Sequence, residues 1–254
     1  MRKRNYIITA AGGNGTAIEI LDQPLVRAAY VSRGKELGQR TAALGAEQVG
    51  FLVLPDKHLE MAGGEFCGNA SRSAAILLSL ATGETTVAFT ISGYCGVVRA
   101  RVENIQGGHF DVTAYFDRLP IDCRLRALTN GSQVTIVDLG GIVHVVIEGP
   151  FPSPANKYEC CHRAIVSELN LQHRSAVGVI WITRETGGVI MHPVVWVRDI
   201  DTFFYEQSCG SGTIAVARVT GVNSVRQPTG HYISAHPNKN CVVLRSRMEV
   251  IQEK

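Results

Sequence analysis

Strand-like apolar runs dominate this chain. Segments rich in Val, Ile, Thr and aromatic residues, broken by Gly, Pro, Asn or Asp, predict strands at 6–9, 17–21, 49–54, 86–91, 96–102, 110–116, 135–139, 143–148, 178–183, 189–197 and 241–244. Helical patterns are fewer. One lies within 25–44, and better-defined ones cover 69–80, 158–169 and 210–219. Many short strands with few helices predict an α+β fold built on antiparallel or mixed sheets.

A weak internal repeat runs through this pattern. Glu65-Phe66-Cys67-Gly68-Asn69-Ala70-Ser71 is echoed by Glu206-Gln207-Ser208-Cys209-Gly210-Ser211-Gly212-Thr213. Each copy places an acid, then Cys-Gly and a small polar residue, ahead of a helical run. The two cysteines stand 142 positions apart, about half the chain. That spacing predicts two similar domains, 1–125 carrying Cys67 and 126–242 carrying Cys209. A C-terminal strand at about 243–254 returns to the first. The boundary falls near 120–130, where Leu119-Pro120 ends a strand and Thr129-Asn130-Gly131-Ser132 reads as a turn.

A cysteine just ahead of a helix lies near the positive end of the helix dipole, which favours its thiolate and lowers its pKa. The glycine beside it lets backbone approach a ligand closely. The free N–H groups of the first turn can hold a carboxylate. Two such turns facing each other suit proton exchange at an amino-acid α-carbon, one thiolate removing the proton and one thiol replacing it on the opposite face. A single Cys-Gly helix start reads as a buried structural thiol. Two matched copies favour the acid–base pair.

Composition narrows the field. A hydrophobic fraction of 45% and a charged fraction of 19% are ordinary for a globular protein able to bury a core. The net charge of +3, with basic residues scattered apart from Arg2-Lys3-Arg4, gives no basic stripe for nucleic acid. No apolar run is long enough to span a membrane. The apolar stretch after the basic trio runs straight into Gly12-Gly13-Asn14-Gly15 without a cleavage-like segment, so a cytoplasmic location is expected. Seven cysteines, an odd number at irregular spacing, do not read as a disulfide framework, and no CxxC pair suggests zinc. Cys160-Cys161-His162 falls in a helical stretch, where adjacent residues do not face one ligand, and is read as packing. No metal is expected.

The two cysteine motifs, in this order and context, resemble those of the diaminopimelate epimerase superfamily. Glu65-Phe66-Cys67-Gly68-Asn69 is similar to its first catalytic motif and Ser208-Cys209-Gly210-Ser211-Gly212 to its second. Gly13-Asn14-Gly15 resembles its early substrate-contacting segment, Glu47-Gln48-Val49 its acid-glutamine step into a strand, and His144 its mid-chain histidine. The resemblance implies two pseudo-symmetric domains, each a mixed sheet around a central helix, with the active site in the cleft between them. It implies an isomerase without metal or pyridoxal phosphate, acting on a small amino acid, commonly as a homodimer. By the same resemblance Cys67 and Cys209 are the acid/base pair. Gly68, Asn69, Gly210 and Ser211 offer backbone groups to the α-carboxylate, Asn14 and Gln48 line the pocket, and Glu206 and His144 support the thiols or the α-amino group.

Departures from the epimerases bear on the substrate. The arginine-bearing stretch before their second cysteine is replaced by Tyr205-Glu206-Gln207-Ser208, the pair before the family histidine by Ile142-Val143, and a far-end asparagine by His58. The shorter pattern, with Ala46-Glu47-Gln48-Val49-Gly50-Phe51, resembles the histidine racemases of metallophore biosynthesis. Gln207 and His58 are then candidates to meet an imidazole, and L-histidine to D-histidine is the expected reaction. Diaminopimelate epimerisation, racemisation of another amino acid and a non-catalytic binding protein of the same fold are the alternatives. A pyridoxal-phosphate racemase would need a Schiff-base lysine, and the six lysines lie at termini or in polar, loop-like stretches. A dinucleotide fingerprint would need glycine where Ile18 stands.

Overall fold

A computed structural model describes residues 5–253; the Arg2-Lys3-Arg4 trio lies outside the described residues. The chain opens with β1 (Asn5–Ala10), β2 (Gly13–Leu21), α1 (Arg27–Thr41), β3 (Ala46–Val53), β4 (His58–Met61), α2 (Gly68–Thr82), β5 (Thr86–Ile91), β6 (Tyr94–Gln106) and β7 (His109–Asp117). It continues with β8 (Asp122–Ala127), β9 (Gln133–Asp138), β10 (Val143–Glu148), α3 (Ala155–Glu168), β11 (Ala176–Glu185), β12 (Gly188–Val197), β13 (Thr202–Tyr205), α4 (Gly210–Thr220), β14 (Ser224–Arg226), β15 (Tyr232–Pro237) and β16 (Cys241–Glu253). The class is α+β, with mixed sheet and few helices.

Pairing follows chain order in each half. The hairpin β1/β2 is followed by a parallel step to β3 across α1, an antiparallel step to β4 and a parallel step to β5 across α2. The hairpin β9/β10 is followed by a parallel step to β11 across α3, an antiparallel step to β12 and a parallel step to β14 across α4. Parallel neighbours need a crossover, and the helices supply it. The last strand, β16, lies between β7 and β15 and also pairs with β1, so β1–β7 and β16 close into a barrel.

The helices divide by burial. Every residue of α2 from Gly68 to Leu78 is buried, and every residue of α4 from Gly210 to Ala217. Helices apolar or small on all sides belong inside a core. By contrast, α1 buries only Tyr30, Gly34, Leu37 and Thr41, and α3 only His162 and Val166, so both lie on the outside. Cys160 is exposed on α3 and Cys161 packs at the edge of the core, while His162 turns inward to the Val177 carbonyl at 3.1 Å; the three side chains diverge. Among the described residues no helix is long and apolar enough to cross a membrane.

Candidate active site

Each cysteine is the residue on which a central helix begins. Cys67 caps α2 with φ −130° and ψ 114°, and Cys209 caps α4 with φ −136° and ψ 111°. Each sulfur accepts a first-turn amide hydrogen at 3.3 Å, from Ala70 and Gly212 respectively. Each cysteine carbonyl accepts a hydroxyl hydrogen at 2.7 Å from the residue four positions on, Ser71 or Thr213. The sequence echo is therefore an echo of capping geometry, with sulfur in the place usually held by Ser, Thr or Asp oxygen.

The two helix starts meet head to head. A Cβ on Gly68 would lie 3.1 Å from the Gly210 carbonyl carbon and the Ser211 nitrogen, and one on Gly210 would lie 3.1 Å from the Gly68 carbonyl carbon. Glycine on both sides is what allows this approach. Around the contact runs a chain of buried hydrogen bonds. The Cys67 thiol donates to Gln48 Oε1 at 2.9 Å and Gln48 Nε2 donates to Glu206 Oε1 at 2.8 Å, which sets the Glu206 carboxyl beside Cys209. Asn14 and Asn69 both donate to the Ser208 carbonyl, at 2.7 and 3.1 Å. Asn14 sits in the left-handed region at φ 48°, at the bulge where the β1/β2 register shifts just after the turn, so it both shapes the start of β2 and reaches the site. Cys209 Sγ lies 3.6 Å from Ser211 Oγ, which lies 3.0 Å from His144 Nε2.

Burial reverses one expectation. The helix amides do favour a thiolate at Cys67, yet desolvation dominates and the thiol is pushed up to about 12. Cys209 is raised well above its ordinary value, first by burial and then by Glu206. His144 is fully buried and held neutral, pushed down to about 3 by burial. Burial lifts Glu206 to about 7, and burial with the neighbouring Glu206 lifts Glu47 to about 8. Glu206 Oε2, Glu47 Oε2 and Asn14 Oδ1 are buried without a protein hydrogen-bond partner. Orphan acceptors of this kind, grouped at one place, are what a ligand's donors would satisfy.

The expected site residues Cys67, Cys209, Asn14, Gln48, Gly68, Asn69, Glu206, Gly210 and Ser211 come together here. His144 stands behind Ser211. Gln207 follows as a neighbour, its β-carbon pressed close to Gly13. His58 is not brought in. It pairs with Val53, at the opposite end of β3 from Gln48, and its alternation with buried Leu59 and Met61 turns it to the outer face, where Thr90 and Glu60 take its ring nitrogens at 2.7 and 3.0 Å. Two residues escaped the expectation. Gln227 accepts from the Cys209 amide at 2.9 Å and donates to Thr213 Oγ1 at 3.1 Å, and no motif marks it. Glu47 was noted only as part of the step into β3. It lines a solvent-open recess of about 450 Å³ shared with Gly34, Gly38, Thr202 and Phe204.

Residues 21–240 match the family model described as the histidine racemase CntK N-terminal domain. The chain belongs to this family. A curated histidine racemase of Fusobacterium nucleatum is 32% identical over 181 residues, which cover 68% of this chain and 65% of that protein. One of Staphylococcus aureus is 25% identical over 179 residues, 67% of this chain and 63% of that protein. The matched stretch thus spans just under two thirds of the relatives' length. The fold is shared with solved structures of low identity. A protein of Pseudomonas aeruginosa described as a predicted epimerase gives a TM-score of 0.62 at 13% identity, covering 99% of this chain and 98% of its own. A PhzF-family phenazine biosynthesis protein of Bacillus anthracis gives 0.61 at 12%, covering 100% and 99%. Diaminopimelate epimerase-like architecture, with histidine racemases among its relatives, is the family placement that the two cysteine motifs implied.

Proposed function

We propose that this protein is a cofactor-independent amino-acid racemase that interconverts L- and D-histidine, with Cys67 and Cys209 as the acid/base pair. The observation that carries the reading is the meeting of two cysteine-capped helices at Gly68 and Gly210, with hydrogen bonds running from the Cys67 sulfur through Gln48 to Glu206, whose carboxyl also acts on Cys209. On this reading the repeated pairing pattern is two pseudo-symmetric domains, the first being 1–125 with the returning strand β16, and the substrate sits in the cleft between them. One cysteine, as thiolate, takes the α-proton; the other, as thiol, gives its proton to the opposite face of the carbanion. First-turn amides of both helices hold the carboxylate and stabilise the charge that spreads onto it.

Without substrate the thiols are neutral, and a ligand must alter that balance. A bound α-ammonium or imidazolium would satisfy the orphan oxygens of Glu206 and Glu47, draw those carboxyls into their charged form, and supply positive charge beside the sulfurs. The same acid pair disfavours a second carboxylate at the far end of the substrate, which argues for histidine over diaminopimelate. Schiff-base chemistry finds little support, since Lys35, Lys57, Lys157 and Lys239 are all exposed. The test is chiral analysis of L-histidine and LL-diaminopimelate after incubation with one purified preparation. Conversion of histidine is expected. Faster turnover of diaminopimelate, or no turnover of either, would overturn the reading.

A further inference from the structure

Arg72, in the second turn of α2, is 0% exposed and heads the fully buried side chains by volume. Its Nε donates to the Gly68 carbonyl at 3.1 Å, Nη1 to Ser246 Oγ at 2.5 Å and Nη2 to Asn69 Oδ1 at 2.5 Å. All three acceptors are neutral, and among the described residues Arg72 forms no ion pair with a carboxylate. The guanidinium lies against the start of α4 as well, for a Cβ on Gly210 would come within 2.9 Å of Nη2. Asp111, the carboxylate whose charge reaches it, is held by Arg245 at 2.8 and 2.9 Å.

A lone buried cation is costly, and here it shares its place with the positive ends of two helices. Three positive features converge where every hydrogen-bond acceptor of the guanidinium is neutral. The remaining ionisable groups acting on the guanidinium are the thiols of Cys67 and Cys209. Glu206 and Glu65 press the Cys67 thiol toward its neutral form, Glu206 does the same to Cys209, and His144 beyond Ser211 is neutral. We propose that Arg72 is a positioning residue whose fixed positive charge, locked beneath the junction of α2 and α4, balances the thiolate that forms at Cys67 or Cys209. Its hydrogen bonds to Gly68 and Asn69 hold the first turn of α2, and its charge acts across the junction on both caps. The inference rests on the reading of these cysteines as the acid/base pair.

The test compares Arg72→Met, which keeps bulk and loses charge, with Arg72→Lys, which keeps charge and loses the guanidinium's hydrogen-bond pattern. The readout is the pH dependence of iodoacetamide modification at Cys67 and Cys209, resolved by peptide mass spectrometry on substrate-free protein, alongside kcat against pH for histidine. In Arg72→Met the midpoint at one or both cysteines should move up by about one pH unit, whereas Arg72→Lys should stay close to the unmodified chain. Equal shifts in both variants, or none in either, would overturn the charge role. Should Arg72→Met fail to fold, Arg72→Lys decides alone: an unshifted midpoint supports the proposal and a shifted one contradicts it. Because modification needs no substrate, a shifted midpoint without racemisation would sink the racemase reading and leave the role of Arg72 standing.

Discussion

At the scale of single residues, the site is defined by polar groups that burial has left unsatisfied. Glu47 and Glu206 each present a buried oxygen without a partner, and a charged donor on the substrate would fill that gap. Glu47→Gln should therefore raise KM for histidine at least about tenfold, with kcat changed less, since a hydrogen bond to a charged group contributes about 1.5–3 kcal/mol; steady-state kinetics checks it. Glu65 makes a different kind of statement. It is buried, its Oε2 has no partner, and burial lifts it to about 7. A carboxyl whose pKa is raised on folding leaves stability intact below its unfolded value, near 4.5. It then costs stability as pH rises toward 7, because the unfolded chain ionises first. Glu65→Gln should thus raise the Tm at pH 8, with an upper bound of ~3 kcal/mol in stability, and leave it nearly unchanged at pH 4.5. Thermal melts at the two pH values check the sign. The sequence marked Glu206 through its place in the repeat, but nothing local distinguished Glu47 from any acid entering a strand. Its role depends on Glu206, 159 positions away, and such a partner is visible only in the fold.

At the scale of elements, the site depends on two helix starts that touch. Gly210→Ala would set a methyl group 3.1 Å from the Gly68 carbonyl carbon and 2.9 Å from both Arg72 Nη2 and Asn69 Oδ1. Backbone cannot yield there as a flexible side chain could. The substitution should cost about 1–3 kcal/mol by overpacking and cut kcat by more than tenfold, while alanine at exposed Gly131, a turn glycine far from the site, should spare kcat; urea unfolding with parallel kinetics checks both. The central helices and longer strands were legible because their apolar pattern is continuous. α2 begins at Gly68 where the pattern predicted 69, and β5 and β10 span 86–91 and 143–148 as expected. The short strands were not. β4, β13 and β14 have four, four and three residues, too few to show a period. β8, with exposed Arg124, Leu125 and Arg126 in sequence, is an outer strand whose faces both meet solvent, so its pattern carries no buried side. It occupies the stretch read as the junction between halves.

At the scale of the molecule, β16 is the element that makes one body of two similar stretches. It pairs with β7 along one edge and with β15 and then β1 along the other, and its Leu244 packs on Gly68 beneath the site. Neither stretch can lose β16 without opening the other. Unfolding in urea should therefore follow one cooperative transition by fluorescence and by circular dichroism. Two separated transitions would show that the stretches stand independently. The sequence placed a strand at 241–244 and returned a tail to the first half, but β16 runs unbroken to Glu253 and serves both halves. Charged residues alternate along it, at Arg245, Arg247 and Glu249, and only the partner strands on either side show it to be central.

The central claim, one cysteine to each face of the α-carbon, is tested most directly by proton exchange in deuterium oxide. Cys67→Ser and Cys209→Ser should both fold and lose racemisation of histidine by at least about two to four orders of magnitude. Each variant should retain α-proton exchange, followed by mass spectrometry, for one enantiomer only, and the two variants should favour opposite enantiomers. Near-normal racemisation by either variant, or exchange of the same enantiomer by both, would contradict the account.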